Sequence, residues 1–368
     1  PDQRRRAQWH AAAGGAVWRR SVGSLSGGTG SAKLGQVTTG NMDRTKIILE
    51  GIGKEALGIE VAPWLAPVAA RRDGYNVRII DVFDTETLRS RGPADPHQAD
   101  RDLGLLEEVD WVGSATEIAT LVPADLHGKI DYIVSSHNFE HLANPIKFLN
   151  GCATVLRPGG ILTMAVPDRR GCFDFFRPHT VIGDWIEAFR EDRQRPTPRQ
   201  VFDSKSMSAE LRRGDETFHA FHLGENARDI GVTGKLLPQF AVWEAARPAD
   251  EYTDAHCTVM TPGSLELLLF EARALGLITL ETVSLRETDT FEFYVRLRKP
   301  VTAGTAPGTA PVGDVEAERV RLMRKIVAEN RIRHRWRLFP HLPRPAWQRR
   351  VVRAVRGFGR RLRGATDR

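Results

Sequence analysis

The 368-residue chain has only three cysteines, Cys152, Cys172 and Cys257, and none of them forms a C-x-x-C pair. This spacing argues against a disulfide framework and against a zinc site made of cysteines. The sequence also lacks a run of about eighteen apolar residues, so no membrane-spanning helix is predicted. Its first small-residue stretch is too weakly apolar for a signal peptide. We therefore expect a cytoplasmic protein.

Charge is distributed unevenly along the chain. The net charge is +7, but residues 1–40 carry six Lys and Arg against one acidic residue, and residues 331–368 carry thirteen Arg against one. Residues 313–330 are balanced, so the body between 41 and 312 must be acidic. An acidic body argues against a nucleic-acid-binding domain, whereas the Arg-rich end could contact a polyanion.

Short apolar runs alternate with helical patterns from about residue 42 to residue 300, which indicates an α/β sheet with helical crossovers. The preceding segment, 1–41, is rich in small residues and is typical of a flexible segment. Five strands are predicted in the main region, at 58–61, 76–82, 109–112, 130–135 and 161–166.

A helix with a stripe of apolar residues along one side is predicted between the fourth and fifth strands. Its apolar positions recur at spacings of three and four, at Ile146, Leu149, Cys152 and Leu156. They would cover one face of the sheet before the Pro-Gly-Gly turn at 158–160 leads into the next strand.

A more polar segment at 174–258 interrupts this alternation, and we interpret it as an insertion that caps a site. After it, a helix and two strands are predicted; the strands are too close in sequence for a crossover helix and must pair antiparallel. A Pro/Gly linker at 301–313 and a basic helical tail at 314–368 follow. Arg interleaved with aromatic residues suits an anionic membrane surface or another polyanion, and the alternative is a solvated basic helix.

Two stretches carry a resemblance to a known family. KIDYIVSSHNFEHLANP at 129–145 and LRPGGILTMAVPDRR at 156–170 resemble the methyltransferase type 11-like domain around its fourth and fifth strands. The resemblance covers roughly residues 47–300 and implies the class I methyltransferase fold. That fold is a doubly wound, mostly parallel, Rossmann-like sheet of seven strands with an antiparallel C-terminal hairpin. The resemblance also implies S-adenosyl-L-methionine as the cofactor.

The family's glycine-rich turn after the first strand has two candidate positions, 48–53 and 58–63. From Glu60 in the second to Asp81 is 21 residues, near the roughly 20 that separate a nucleotide-binding turn from its ribose-binding acid. We therefore assign the turn to 58–63.

The resemblance implies cofactor-binding positions near the ends of the first four strands. These are Gly58, Glu60, Ala62, Asp81, Gly113, Ser114, Ser136 and His137. Ala62 stands where the family usually has glycine. Asp81 is the expected partner of the two ribose hydroxyls, and Gly113 with Ser114 would border the adenine.

His137 and Asp168 are the candidate catalytic residues, because they follow the fourth and fifth strands at the edge where open α/β sheets hold ligands. The imidazole of His137 could deprotonate an acceptor hydroxyl or amine, since histidine titrates near neutral pH. The same ring could instead only hydrogen-bond the cofactor or a loop.

The stretch SSHNFEH at 135–141 also contains H-x-x-E-H, which is the spacing of a zinc hydrolase site through His137, Glu140 and His141. Pro145 follows closely, so about one turn of helix at most can surround the two histidines. We interpret the match as coincidence.

Three further histidines, His219, His222 and His256, could together bind a metal ion. Pocket lining or hydrogen-bonded structure is the commoner role for such residues. Glu140 with His141 is a further possible signal, since the resemblance includes methyltransferases that hold a divalent ion with acidic and histidine residues at this place, but no additional carboxylate pattern accompanies it. No metal ligand is therefore assigned from the sequence.

The leading hypothesis is an S-adenosylmethionine-dependent methyltransferase that acts on a small-molecule or glycan acceptor. The alternative is a non-catalytic cofactor-binding or scaffold protein with the same fold, motivated by the glycine-poor turn at Ala62. The expected location is cytoplasmic, with a peripheral position at the inner membrane face if the tail binds anionic lipid. No specific nucleic acid is predicted as a partner.

Overall fold

The computed structural model describes residues 44–91, 102–245, 253–301 and 314–337, with side chains described as far as Asn330. The predicted segment 1–41, the linker after residue 301 and the tail beyond Arg337 lie outside the described residues.

A seven-stranded sheet forms the centre of the domain. Its strands are β1 (Gly58–Val61), β2 (Val77–Asp81), β3 (Trp111–Val112), β4 (Ile130–Ser136), β5 (Leu156–Pro167), β9 (Glu281–Arg286) and β10 (Glu292–Arg298). Their order is β3-β2-β1-β4-β5-β10-β9. The first five are parallel, whereas β10 pairs antiparallel with both β5 and β9. The predicted mostly parallel sheet with an antiparallel C-terminal hairpin is confirmed.

Both faces of this sheet are covered, which explains the continuous apolar runs of its central strands. In β4, Ile133 faces one buried cluster with the flanking helices, and Tyr132 and Val134 face a second cluster with Ile48. Strands of this kind can be recognised in a sequence because nearly every position must be apolar.

Besides residues 44–48, which are also helical, the described α-helices are α1 (Thr85–Arg91), α2 (Ile118–Leu121), α3 (Pro145–Val155), α4 (Ile182–Arg190), α5 (Pro198–Ser206), α6 (Leu236–Ala245), α7 (Pro262–Ala274) and α8 (Val315–Arg337). Ile146, Leu149 and Cys152 of the predicted stripe are buried on α3, whereas Leu156 is the first residue of β5. Helix α3 begins at Pro145 because the side chain of Asn144 accepts a hydrogen bond from the Lys147 N–H at 3.1 Å. Among the described residues, no helix is long and apolar enough to cross a bilayer.

Helix α8 packs along α7, so the first part of the predicted basic tail contacts the domain. Leu322 is buried, and Arg319 Nε donates to Glu271 Oε1 at 2.8 Å. The carboxylate of Glu329 accepts from Thr261 Oγ1 at 2.8 Å and from the Gly263 N–H at 3.0 Å, at the start of α7. The membrane contact predicted for the tail concerns mainly residues outside the described part of the chain and stays a prediction.

The segment between β5 and α7 corresponds to the predicted insertion. It contains α4, α5, α6 and a small antiparallel sheet in the order β7-β6-β8, formed by β6 (Ala209–Arg213), β7 (Glu216–Phe218) and β8 (Ile230–Val232). The Phe221 N–H donates to Gly171 O at 2.8 Å, just beyond the end of β5. The insertion is therefore anchored beside the carboxyl edge of the large sheet.

Three residues with side chains adopt positive φ at the carboxyl ends of β1 and β4. They are Ala62 at 47°, Trp64 at 49° and His137 at 50°. A Cβ atom makes this conformation unfavourable by about 1–2 kcal/mol per residue. The turn after β1 therefore has the backbone of a glycine turn although its residue 62 is alanine.

We predict that Ala62→Gly raises the free energy of unfolding by about 1 kcal/mol, because glycine removes the clash of Cβ at positive φ. The matched control is Ala66→Gly in the same loop, where φ is not positive and the change should lower stability by about 0.5 kcal/mol. Urea unfolding of both variants measures the difference. Equal destabilisation by the two changes would contradict the backbone geometry of this turn.

Candidate functional site

The order in which successive strands are added to the sheet reverses between β1 and β4, since β2 and β3 lie on one side of β1 and β4 and β5 on the other. Open α/β sheets bind ligands in the crevice at such a reversal. The Ala62 N–H donates to Ile80 O at 2.8 Å, and Val61 pairs with Ser135. The turn after β1 thus lies between the ends of β2 and β4, which brings Ala62, Asp81 and Ser136 together.

Glu60 is buried below this turn and shapes it. Its carboxylate accepts hydrogen bonds from the Val68 N–H at 2.7 Å and the Ala69 N–H at 2.9 Å. Burial raises the pKa of Glu60 to about 7, although these two hydrogen bonds oppose the shift. The side chain therefore holds the loop 62–69, and any effect of Glu60 on a ligand passes through the loop backbone.

Asp81 ends β2 at the crevice. Its Oδ1 accepts from the Phe83 N–H at 3.0 Å, and burial raises the pKa of its carboxyl to about 6. The Gly113 N–H donates to Asp81 O at 2.8 Å, which places the end of β3 beside it. Gly113 is needed for packing, since an added Cβ would lie 2.7 Å from Leu121 Cδ2. Ser114 follows with its Oγ accepting from a neighbouring backbone N–H at 3.3 Å.

Gly58 does not join this group, which corrects the cofactor-binding role given to it above. It lies at the amino end of β1, whereas the crevice is at the carboxyl end. An added Cβ would lie 2.0 Å from Cζ of Tyr132 on the neighbouring strand. Glycine is required here so that the tyrosine ring can cross β1.

A hydrogen-bonded cluster surrounds His137 at the end of β4. The ring Nε2 lies 2.8 Å from Glu292 Oε2, and the other oxygen of Glu292 accepts from Arg44 Nε at 2.8 Å and Tyr294 OH at 2.7 Å. Arg44 also donates to Ser136 Oγ at 2.5 Å. The cluster therefore joins the segment before β1, the end of β4 and the start of β10.

The charges of this cluster stabilise one another. Burial alone would lower the pKa of His137, but the nearby carboxylates of Glu140 and Glu292 hold it above its usual value. Burial would likewise raise the pKa of Glu292, yet Arg44 and His137 hold it well below its usual range. The carboxylate is thus ionised at all physiological pH values, and it fixes the orientation of the imidazole.

Asp168 follows β5 in a buried ion pair. Its Oδ1 accepts from Arg170 Nε at 2.8 Å and from the Arg170 N–H at 2.9 Å, and Oδ2 also contacts the guanidinium. Both oxygens are occupied by this one neighbour. The arrangement supports a role in holding the turn after β5, and the catalytic role of Asp168 stays a prediction.

The H-x-x-E-H stretch does not lie on a peptidase-type helix. Residues Phe139–His141 form a single 3-10 turn, and His137 lies outside it with positive φ. Within the described parts of the chain, one group of three potential metal ligands converges, and it consists of Glu140, His141 and His256. The triplet of His219, His222 and His256 considered from the sequence is therefore not brought together.

Sequence reasoning missed Arg44, Tyr294 and Glu292. Glu292 could have been noticed, because an acidic residue at an inward position of the strand FEFYVRLR demands a buried partner. Arg44 gives no comparable signal, since it lies 248 residues from Glu292 in a stretch without a strong pattern.

Comparison with known proteins identifies a family. The family described as methyltransferase domain matches residues 45–273. No curated protein sequence matches the chain significantly.

Similar solved structures include a SAM-dependent methyltransferase from Methanosarcina mazei, 14% identical, covering 70% of this chain and 98% of that chain with a TM-score of 0.34. The CcbJ methyltransferase from Streptomyces caelestis is 12% identical, with coverages of 71% and 89% and a TM-score of 0.37. A SAM-dependent methyltransferase from Aquifex aeolicus is 12% identical, with coverages of 69% and 88% and a TM-score of 0.33.

The matched region begins before β1 and ends in α7, so it contains Ala62, Asp81, Ser136 and His137, whereas Arg44, Glu292 and Tyr294 of the His137 cluster lie outside it. It also covers more than half of the chain. The chain therefore belongs to the methyltransferase-domain family and is an S-adenosyl-L-methionine-dependent methyltransferase with the class I, Rossmann-like fold.

Proposed function

We propose that this methyltransferase methylates a hydroxyl group of a small-molecule or glycan acceptor, with His137 as general base and Glu292 as the group that orients it. The observation that carries the proposal is the 2.8 Å hydrogen bond between His137 Nε2 and a buried carboxylate of Glu292. A carboxylate in this position selects one tautomer of the ring and stabilises its protonated form.

The enclosure of this pair supports a small acceptor group. The side chains of His137 and Glu292 are only 13% and 5% exposed, and the insertion is anchored at the same edge of the sheet. A hydroxyl of a small molecule or of a terminal sugar can enter such a site. The surface of a folded macromolecule would reach these nearly buried atoms less readily, which favours a small acceptor.

The residues of the crevice fit S-adenosyl-L-methionine. Ala62 and Trp64 adopt the positive φ typical of turns in which the backbone approaches a ligand closely, and the ionised Asp81 beside them can accept hydrogen bonds from a pair of ribose hydroxyls. When bound, this cofactor supplies a methyl group on a sulfonium that needs little chemical help beyond alignment.

The remaining task for the protein is proton transfer. In neutral His137 the Nε2–H donates to Glu292, so the proton of the acceptor hydroxyl would go to Nδ1, which lies 3.5 Å from Glu140 Oε1 in a buried position that the acceptor must reach. As the hydroxyl oxygen attacks, its proton passes to Nδ1 and the imidazolium is stabilised by Glu292. Because the pKa of His137 is raised, the base is active on the alkaline side of that pKa.

We predict that S-adenosylhomocysteine binding depends on the ionisation of Asp81. The ribose hydroxyls bind the carboxylate, so affinity should be constant above about pH 6, the raised pKa of Asp81, and fall up to tenfold per unit below it. Asp81→Asn should lose this dependence and bind about tenfold or more weakly at pH 8, since it lacks a charged acceptor. Calorimetry at several pH values measures both effects.

Glu60 is the internal control for this experiment, because its pKa is also raised and it lies beside the same turn. A pH dependence that persists unchanged in Asp81→Asn would assign the titration to Glu60 and contradict the role of Asp81. If the wild-type chain did not bind S-adenosylhomocysteine at any pH, the proposed cofactor site itself would be contradicted.

We predict that His137→Gln lowers kcat by about 10²-fold or more, because glutamine can still donate to Glu292 but cannot act as a base. Transfer is measured as release of S-adenosylhomocysteine with a panel of glycosides and small hydroxylated compounds. The matched control is His127→Gln, since His127 precedes β4 at the opposite edge of the sheet. Its kcat should equal that of the wild type.

Glu292→Gln tests the orienting role separately. Removing this charge lowers the pKa of His137, so the rise of kcat with pH should move to lower pH while its maximum falls. An unchanged pH profile in Glu292→Gln, or full activity in His137→Gln, would overturn the proposed mechanism. Cofactor binding without transfer to any compound of the panel would favour the non-catalytic alternative.

A further inference from the structure

A second cluster of ionisable side chains lies next to His137, and none of its members transfers a proton in the mechanism above. Glu140 and His141 belong to the 3-10 turn after β4, and His256 comes from the segment that leads into α7. One possible ligand atom from each of the three lies within 4.8 Å of the other two. Residues 116 positions apart in the sequence are thus brought to one point by the fold.

Glu140 is fully buried, and neither of its carboxylate oxygens accepts a hydrogen bond. The ring nitrogens closest to Oε1 are His137 Nδ1 at 3.5 Å and His141 Nε2 at 3.8 Å, which is too far for good hydrogen bonds. A buried carboxylate without hydrogen bonds is strongly unfavourable unless a cation satisfies it. Protonated rings of His137 and His141 can supply that positive charge, and so can a cation bound by Glu140 together with the nearby imidazoles.

Both histidines are oriented by an aspartate on the far side of the ring. His141 Nδ1 lies 2.9 Å from Asp254 Oδ1, and His256 Nδ1 is hydrogen-bonded to Asp174. In each ring the Nε2 atom is then left to face Glu140 and the other histidine, and Nε2 of the buried His256 has no hydrogen-bond partner. Histidines that bind metals are characteristically held in this way by a carboxylate on the other ring nitrogen.

The surroundings keep these groups in place. Arg177 donates to Asp174 Oδ1 at 2.6 Å and to His256 O at 2.9 Å. The N–H groups of Cys257 and Thr258 donate to the backbone oxygen of Glu140 at 2.6 and 3.0 Å. The segment that carries His256 is therefore tied directly to the turn that carries Glu140, so the three candidate ligands form one rigid unit.

We propose that Glu140, His141 and His256 bind one divalent transition-metal ion of the Zn²⁺ type through the carboxylate and the two Nε2 atoms. Two imidazoles and one carboxylate are a ligand set that suits such an ion and is poorly suited to Mg²⁺ or Ca²⁺. Three protein ligands also leave a coordination position for water or for an oxygen of the acceptor. His141 and Asp254, which are 16% and 22% exposed, form the more open side of the site.

The site is distinct from the zinc hydrolase arrangement that the sequence suggested. Glu140 acts as a ligand instead of a base, His256 replaces His137, and His137 remains bonded to Glu292. The ion would lie beside the proposed base, because Glu140 Oε1 is 3.5 Å from His137 Nδ1. If the acceptor hydroxyl bound to this ion, it would lie near Nδ1 of His137. Only this last consequence rests on the function proposed above.

The test measures metal binding by the full chain without cofactor or acceptor, so its outcome is independent of the proposed methyl transfer. The protein is stripped with a chelator, dialysed against Zn²⁺, freed of excess metal and analysed by mass spectrometry of the elements. We expect one Zn²⁺ per chain. Glu140→Gln and His256→Gln should each weaken Zn²⁺ binding by about 100-fold or more, since changes to outer partners alone cost about 10–100-fold.

The matched control is the double variant His219→Gln, His222→Gln, which removes two histidines of the insertion outside the cluster. It should retain the full Zn²⁺ content. Because Glu140 is buried, the thermal unfolding of each variant is followed with and without Zn²⁺. Zn²⁺ should raise Tm in the wild type and in the control but leave it unchanged in a folded Glu140→Gln protein.

Replacement of Zn²⁺ by Co²⁺ supplies a spectroscopic readout of the ligands. The wild type should show the visible absorption of Co²⁺ in a low-symmetry nitrogen and oxygen site, and this absorption should be lost in His256→Gln. A wild-type chain that retains no Zn²⁺ and shows no Co²⁺ absorption would overturn the proposal. Equal metal retention in Glu140→Gln and the wild type would do so as well.

Discussion

The buried carboxylate of Glu292 is the interaction on which the arrangement of the pocket depends. It binds Arg44 before β1, His137 after β4 and Tyr294 within its own strand. Taking such a charge out of water is costly, and it is tolerated because every partner is placed to bind it. Removing one partner of a buried pair typically costs about 3–5 kcal/mol, so the cluster holds the three segments in a single geometry.

The antiparallel hairpin at the C-terminal end of the domain has a direct role in this cluster. Because β10 runs opposite to β5, its first residue, Glu292, lies opposite Pro167, at the carboxyl edge of β5. A parallel strand in the same place would bring its last residue to that edge. The antiparallel direction of β10 thus places the carboxylate of Glu292 beside His137.

Backbone strain and charge are concentrated at the same edge of the sheet. Ala62, Trp64 and His137 all have positive φ, and each follows a strand whose neighbours are buried on both faces. Strain of this kind persists only where the surrounding structure holds the backbone, and it is common at binding sites. The insertion is anchored at the same edge, since the Phe221 N–H donates to Gly171 O just beyond β5.

Much of the fold was accessible from the sequence, because its signals are local. Buried parallel strands need continuous apolar runs, and the helix at Pro145–Val155 needs a stripe and a cap, so both leave a pattern within a dozen residues. Asp81 and His137 were singled out for the same reason, since they lie at the ends of recognisable strands, and their roles remain predictions. Gly58 was misassigned, because a glycine required by the ring of Tyr132 has the same sequence signal as one that faces a ligand.

The sequence by itself determined the strands, the crossover helices and the family. Only the tertiary structure decided which charged residues form pairs. Arg44 and Glu292 are 248 residues apart, and an ion pair of this kind produces no repeating pattern in the sequence. The same holds for His256, whose meeting with Glu140 depends on the order of the strands and on the path of the insertion. Burial makes these contacts specific, since each charge taken out of water must find its partner wherever the sheet order places it.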